Sequence, residues 1–288
     1  MLTGHRAAKP RLQGRDEALG LAWWSVECQG MRDTMEDAGV AGPIAHAGAR
    51  GFAASVFDGH AGDAAALACG QHFHKLLAEQ DDVLADGERT PFAIQAAHRA
   101  MDGLLATQAV GESGCCATTL LKNGSNVYVA GLGDCRCLVM YDAECIQIGE
   151  DHEPTSYAEY ARIVGAGCHV RDGRVNGEIN VARALGDFQF KDPGLDAAHF
   201  AVTCVPDVFR LVDWAGVRFV VLACDGLGNG VPRADIARKL WNAVVEKRQS
   251  VPDACCELAE KAAIEAFDNV TLLVVQNTRF VRAQAPPA

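Results

Sequence analysis

The order of the apolar runs predicts an α+β fold, with antiparallel sheets and helices packed outside them. Two strand-like runs lead, two helical patterns follow, and a long series of short strands comes next. Two more helical patterns and one last strand close the chain. Strand and helix never alternate regularly, which argues against a parallel doubly wound sheet. The 288 residues are 49% hydrophobic and 22% charged, enough apolar side chain for a sizeable core and too much for a disordered chain.

Leu21 to Cys28 is rich in aromatic and branched residues and predicts a strand. Gly51 to Phe57 is a second apolar run, stopped by the turn signal Asp58-Gly59. Helical patterns cover about 63–79 and 91–108; in the second, Thr90 stands as N-cap and Pro91 as the first helical residue. Strands are expected at 117–121, 126–131 and 135–141, with Asn123-Gly124 marking a hairpin between the first two. Residues 156–164 predict a short helix, and 165–196 are glycine-rich and irregular. Strands at 209–212 and 217–224 precede helices at 233–246 and 251–267, and 270–276 is the last strand. Residues 21–278 are read as one domain. Residues 1–20 are read as a flexible basic segment and 279–288 as a loose tail, ending in Ala-Pro-Pro-Ala.

The sequence argues against several classes. No run approaches the roughly 18 apolar residues of a membrane span. A net charge of −11 opposes a nucleic-acid partner held through phosphates. Leu2 excludes N-myristoylation. The first 15 residues hold Arg6, Lys9, Arg11 and Arg15 and no acid, but Gly4, Pro10 and Gly14 would interrupt the helix of a mitochondrial leader. Twelve cysteines suggest a disulfide framework, yet the chain is long and has no apolar signal segment. Cys115-Cys116 and Cys255-Cys256 are adjacent pairs, and no CxxC occurs. Reduced, mostly buried thiols are therefore expected, in a cytoplasmic or nuclear protein without a structural zinc site.

Acidic residues recur at the ends of apolar runs. Asp58 ends Ala53 to Phe57, Asp225 ends Phe219 to Cys224, Asp134 lies between two strands, and Asp268 shortly precedes Val270 to Val274. Glu36 and Asp37 form a doublet. Each alone fits a solvated turn. Brought together, two unit charges about 4 Å apart would repel by roughly 4 kcal/mol at an effective dielectric near 20. A cluster of four or more would need cations, and hard oxygen donors select Mg²⁺ or Mn²⁺. Spacing alone does not bring them together.

The acids fall within a series of short motifs. Arg32-Asp33-Thr34-Met35-Glu36-Asp37 comes first and Val56-Phe57-Asp58-Gly59-His60-Ala61-Gly62 second. Ser113-Gly114, Gly133-Asp134-Cys135-Arg136, Asp151-His152-Glu153-Pro154 and Ala182 to Asp187 follow, and Ala223-Cys224-Asp225-Gly226-Leu227 and Asp268-Asn269-Val270-Thr271 close the series. In this order, from about Ala22 to Val275, the chain resembles the metal-dependent protein serine/threonine phosphatases of type 2C. The resemblance implies a central antiparallel β-sandwich flanked on both sides by pairs of α-helices, with a flap at about 151–196. It implies two Mg²⁺ or Mn²⁺ ions bridged by Asp58. The Gly59 carbonyl, Asp225 and Asp268 would complete the direct protein ligands, Glu36 would hold metal-bound waters, and Asp37 would stand behind them. Arg32 would bind the substrate phosphate and His60 would be the general acid. The implied reaction is hydrolysis of phosphoserine or phosphothreonine in proteins by a metal-bridging hydroxide, without a covalent phosphoenzyme. Phosphoprotein substrates, a regulatory partner and a monomeric state complete that picture.

Three departures from the family pattern stand out. Gly228-Asn229 replaces Trp-Asp; that Asp, with the residue matching Asp134, would help hold a third, weaker ion, so the third ion is doubtful here. Glu265-Ala266-Phe267 takes the place of a frequent Gly-Ser before Asp268. Cys115, Cys116 and Cys224 stand where small hydroxyl residues are usual. An alternative follows, a catalytically weak or dead phosphatase fold that serves as a phosphoprotein-binding scaffold. A cysteine phosphatase is the other alternative, on the C-x5-R spacings Cys168–Arg174 and Cys204–Arg210. Neither cysteine follows a His, and Asp172 or Asp207 would repel phosphate.

Overall fold

A computed structural model of the chain describes residues 7–85, 87–141, 144–244, 246 and 249–280. Its elements in chain order are β1 (Lys9–Asp16), β2 (Leu21–Cys28), β3 (Ala38–His46), β4 (Ala49–His60), α1 (Ala64–Ala78), α2 (Thr90–Thr107), β5 (Gly114–Asn123), β6 (Asn126–Leu132), β7 (Arg136–Tyr141) and β8 (Glu144–Ile148). Then come α3 (Tyr157–Gly165), the two-residue strands β9 (Val170–Arg171), β10 (Arg174–Val175) and β11 (Leu185–Gly186), β12 (Asp207–Leu211), β13 (Phe219–Ala223), α4 (Asp225–Gly230), α5 (Arg233–Val244), α6 (Val251–Ala266) and β14 (Val270–Asn277). One sheet has the order β1-β2-β14-β13-β7-β8, and the other β12-β6-β5-β4-β3 with β11 paired to β5. The fold class is α+β as expected, with antiparallel sheets face to face and helices outside both.

The central strands read as unbroken apolar runs because both of their faces are covered. In β4, Phe52, Ala54 and Val56 point between the sheets, against Leu120, Leu222 and Leu273. Ala53 and Phe57 point the other way, onto Phe73 of α1 and Ile94 and Leu105 of α2. In β14, Leu273 and Val275 enter the sandwich. Val270, Leu272 and Val274 meet Leu258 and Ala259 of α6. Each such large side chain stabilises the fold by about 1.5–3 kcal/mol through burial.

Six strands were not expected from the sequence: the two-residue β9, β10 and β11 within 165–196, and the longer β1, β3 and β8, which are all sheet edges. Edge strands need only one apolar face and tolerate polar residues, glycine and proline. That is the composition of β3, with Gly39, Gly42 and Pro43. The expected flexible segment at 1–20 is corrected by β1: alternate side chains of Lys9–Asp16 reach solvent while the backbone pairs with β2. Arg11 pairs with Glu27 at 2.7 Å and Asp16 with Arg50 at 2.7 Å. Residues 1–6 lie outside the described residues. At the other end Arg279 Nη2 donates to the carbonyls of Glu17 and Ala18, and Phe280 lies under the Arg218 guanidinium. The expected loose tail is therefore anchored over 279–280, and 281–288 lie outside the described residues. Thr90 is not the N-cap; Arg89 holds that position, and the Thr90 hydroxyl donates to the carbonyls of Asp82 and Ala85. All twelve cysteines are free and most are buried.

His98 of α2 is fully buried, its ring edge-on to Phe73 and its Nδ1 bonded to the Ile94 carbonyl at 2.8 Å. Burial pulls its pKa down from 6.5 to about 4. An unfolded His gains its proton below about 6.5, whereas the folded one waits until about 4. The unfolded state thus binds more protons in that window, and stability falls as pH falls through it, by roughly 3 kcal/mol at 1.36 kcal/mol per pH unit. Raised carboxyls at one rim of the sandwich and His74 also titrate in this window, so the difference between variants isolates the His98 contribution: in urea unfolding from pH 7 to 4.5, the stability of the parent relative to His98→Leu should fall by about this amount.

Candidate active site

The strand register gathers the acidic residues at one end of the sandwich. In one sheet Ala38 pairs with Phe57, Phe57 with Ala117 and Ala117 with Leu132. In the other, Ala223 pairs with Arg136 and Leu272, and Val270 with Cys28. Asp37 just before β3, Asp58 near the end of β4, Asp134 in the turn before β7, Asp225 after β13 and Asp268 before β14 therefore share one rim. Gly59 and His60 are the last residues of β4.

Asp37, Asp58 and Cys224 each present a ligand atom within 4.8 Å of the others. The Asp225 amide donates to Asp58 Oδ2 at 3.3 Å. Burial, together with the charges of Asp37, Asp225 and Asp134, pushes the Asp58 carboxyl well above its usual range. Burial and the charges of Asp134 and Asp268 push Asp225 up to about 6. Burial, reinforced by Asp268 and Asp225, pushes Asp37 up to about 7. Burial and Asp151 raise Asp134. Asp37 is buried, and its Oδ2 has no hydrogen-bond partner among the described residues. Crowded carboxylates that resist ionisation and a buried oxygen with no donor fit hard divalent cations. The Cys224 thiol is committed elsewhere: it donates to the Asn269 carbonyl and accepts from the Thr271 amide. Burial and the nearby carboxylates push its pKa up, so it stays a neutral thiol.

Around this group stand the cationic candidates. Exposed Arg32 donates from Nη1 to Asp268 Oδ1 at 2.9 Å, which fixes its guanidinium at the rim. His60 Nε2 meets Asp187 Oδ2 at 2.7 Å, and Asp187 is buried. Burial alone lowers the His60 pKa, but the hydrogen bond and charge of Asp187, with Asp134 and Glu36, outweigh it, and the net shift is upward. Gly114 makes this pair possible: a Cβ there would stand 2.1 Å from Asp187 Oδ2 and 2.6 Å from His60 Nε2. The Glu36 carboxylate accepts from the Thr34 hydroxyl.

Sequence reasoning assigned no role to three groups that hold the site. Asp187 adopts φ 52°, a left-handed conformation that a short polar residue tolerates, and its place at the end of the motif Ala182 to Asp187 was the available signal. Asn269 accepts from the Glu36 amide and donates to the carbonyls of Gln29 and Thr34, tying the first motif to the last. Arg136 binds Asp151 through Nε and Nη2 and reaches Asn229 Oδ1 at 3.3 Å, while Asn229 Nδ2 donates to Asp225 Oδ2 at 3.0 Å. Within the flap, Glu159 accepts from both Arg162 and Arg183, and Arg183 links the flap to β12 through Asp207 at 2.7 Å.

A cation held at 100 times its dissociation constant stabilises a fold by about 2.7 kcal/mol, or on the order of 5 °C or more for a domain of this size. Calorimetric melting should show such a rise with Mn²⁺ and its reversal by EDTA. Asp58→Asn removes one of the mutually repelling charges. It should leave the metal-free melting temperature unchanged or higher and abolish most of the Mn²⁺-induced rise.

A sequence profile of the family described as Protein phosphatase 2C matches residues 23–269. The chain is similar to protein phosphatase 2C homolog 2 of Saccharomyces cerevisiae, 33% identical over 76% of this chain and 50% of that protein. It is also similar to the integrin-linked kinase-associated serine/threonine phosphatase 2C of Rattus norvegicus, 31% identical over 90% of this chain and 73% of that protein. The chain spans about half the length of the fungal relatives it matches. Among solved structures, a phosphatase of Toxoplasma gondii superposes with a TM-score of 0.77 at 20% identity, covering 96% of this chain and 97% of that one.

Proposed function

The chain belongs to the protein phosphatase 2C family, and from that premise we propose that it hydrolyses phosphoserine and phosphothreonine esters of proteins with two bound Mg²⁺ or Mn²⁺ ions. The observation that carries this reading is the crowding of Asp37, Asp58, Asp134 and Asp225, whose carboxyls burial and mutual charge hold above their usual range. Asp58, the Gly59 carbonyl, Asp225 and Asp268 would hold the two ions, with Glu36 and Asp37 beside them. When bound, the ions supply an ionised water at neutral pH and offset negative charge on the phosphoryl oxygens.

The remaining work falls to side chains of this chain. Arg32 binds the phosphate: its planar fork matches two phosphate oxygens, and its exposure at the rim leaves it open to a protein substrate. His60 gives a proton to the departing serine or threonine oxygen as the P–O ester bond breaks and the water oxygen bonds to phosphorus. Nε2 of His60 is engaged by Asp187, so the proton given up is the one on Nδ1. Asp187 orients the ring and stabilises its charged form. No side chain is phosphorylated on the way, and the products are the free hydroxyl and inorganic phosphate. A third ion has no place in this reading, because Asn229 brings no charge and the Arg136 guanidinium beside it repels a cation.

Hydrolysis of a phosphothreonine peptide with Mn²⁺, with Mg²⁺ and with EDTA tests the proposal. Turnover should require the metal and should fall at least about 10²-fold in Asp58→Asn and in Asp225→Asn. Folded protein that binds Mn²⁺ and the peptide without turnover would replace the hydrolase reading by the phosphoprotein-binding one. His60→Gln should lower kcat by about 10²–10⁴-fold with little change in KM. Asp187→Asn should lower kcat less and move the alkaline limb of the pH–rate profile to lower pH. An unmoved profile would remove Asp187 from the positioning role.

A further inference from the structure

Away from the acidic rim, Asp102 of α2 and Lys191 of the flap form an ion pair in which both partners are buried. Asp102 Oδ1 accepts from Lys191 Nζ at 2.6 Å and from the Gly186 amide at 2.9 Å. Lys191 Nζ also donates to the Ala184 carbonyl at 3.0 Å. One carboxylate oxygen thus gathers the segment 184–191 at its start, middle and end. Asp187 lies inside that segment, and its Oδ2 meets His60 Nε2 at 2.7 Å.

The turn held in this way is an unfavourable one. Gly186 at φ 80° and Asp187 at φ 52° are consecutive left-handed residues, a conformation that only glycine adopts freely. On the sandwich side its support is short. β11 pairs only Leu185 with Cys115 and Gly186 with Gly114, and the Asp187 amide reaches the Ser113 carbonyl at 3.4 Å. Gly114 pairs in turn with His60, so His60, Gly114 and Gly186 form one row across β4, β5 and β11. A shift of the Gly186 backbone therefore passes to Asp187, one residue on. A buried ion pair is a costly way to fill the space behind this turn, since an apolar pair of similar volume is often as stable or more so. An apolar pair would lack the directed acceptor that the Gly186 amide finds and the donor that the Ala184 carbonyl finds.

We propose that Asp102 and Lys191 are positioning residues for the reaction: by fixing the Gly186–Asp187 turn they keep Asp187 on His60, and so keep the imidazole aimed at the departing oxygen. The proposal rests on the reading of His60 as the proton donor. Asp102 and Lys191 act only through Asp187. A misplacement of about 1 Å caused far from the chemistry can cost on the order of 10²-fold in rate.

A single substitution at either position would strand a buried charge, so the test uses Asp102→Leu together with Lys191→Met. The substrates are a phosphothreonine peptide, whose alkoxide needs a proton to leave, and p-nitrophenyl phosphate, whose phenolate does not. With Mg²⁺, kcat for the peptide should fall about tenfold or more and kcat for p-nitrophenyl phosphate less than about twofold, with both KM values kept. His60→Gln should show the same split, larger. No fall, or an equal fall on both substrates, would overturn the positioning role. Asp102→Asn with Lys191→Met keeps an oxygen for the Gly186 amide and should recover most of the peptide rate; no recovery would overturn the Gly186 bond as the link. Two readouts need no turnover. The NMR resonance of the proton between His60 Nε2 and Asp187, absent in His60→Gln, should move or vanish in the Leu/Met double variant, and an unchanged resonance would overturn the proposal. In the unsubstituted chain the Gly186 amide should exchange slowly with deuterium, and rapid exchange would overturn it without any variant. Absence of turnover in the unsubstituted protein would count against the phosphatase reading, with the resonance still deciding the positioning.

Discussion

Burial of the crowded carboxyls of Asp37, Asp58, Asp134 and Asp225, reinforced by their mutual charge, is the constraint around which the rest of the molecule is arranged. Two unit charges about 4 Å apart repel by roughly 4 kcal/mol at an effective dielectric near 20, and removal from water adds to that cost. The protein does not relieve this by pairing the group with internal cations: Arg32 and Arg136 touch only its edge, through Asp268 and Asn229. Relief comes in part from proton uptake, which is what the upward shifts of these carboxyls express. A cluster left in that state is a poor device for stability and a good one for binding a small, highly charged ion, which would displace the protons as it binds.

Holding such a cluster together takes a rigid frame, and the sandwich is that frame. Each acid is attached within a residue or two of a strand end, and the strands are locked in register by apolar side chains on both faces. A slip of one residue in β4 would turn Phe57 out of the helix-side core and swing Asp58 away from Asp225. The same logic explains Asn269, which spends both side-chain donors and one acceptor bond on the loop carrying Arg32 and Glu36. The flap combines an apolar core of its own, with Ile163, Val175, Val181 and Phe190, with the ion pairs of buried Glu159 to half-buried Arg162 and Arg183. Burial raises the Glu159 carboxyl, and the two arginines more than reverse that, so the ion pairs survive at neutral pH.

The central strands and the long helices were legible because burial on two faces forces unbroken apolar runs and amphipathic helical spacing. The edge strands β1, β3 and β8 were not, because one open face lets charge, glycine and proline intrude on the pattern. Thr90 was misplaced as a cap for a related reason: its hydroxyl is used by a loop some residues upstream, a tertiary contact that local sequence does not encode. In the site, Asp58, Asp225 and Asp268 were recognisable from their places at the ends of apolar runs and from the motifs. Asp187 was harder, since its meaning lies in Gly114, 73 positions away in the chain, whose missing side chain makes room for it. A glycine that is required for contact looks, in one sequence, like a glycine required for a turn.

The departures from the family pattern fall outside the innermost carboxylates. Phe267 occupies the left-handed region at φ 57° with its ring in solvent, a conformation that costs a non-glycine residue about 1–2 kcal/mol. That cost sits immediately before Asp268, so the chain bears it to turn out of α6 into the site. Gly228 and Asn229 belong together with Arg136: without a side chain at 228 the guanidinium can lie flat, and an amide at 229 can accept from it while donating to Asp225. A carboxylate at 229 would instead add a further negative charge to a rim already crowded with them. The exchange leaves the carboxylates of the site in place and sets a fixed cation beside them, on a short hydrogen-bonded relay from Arg136 through Asn229 to Asp225.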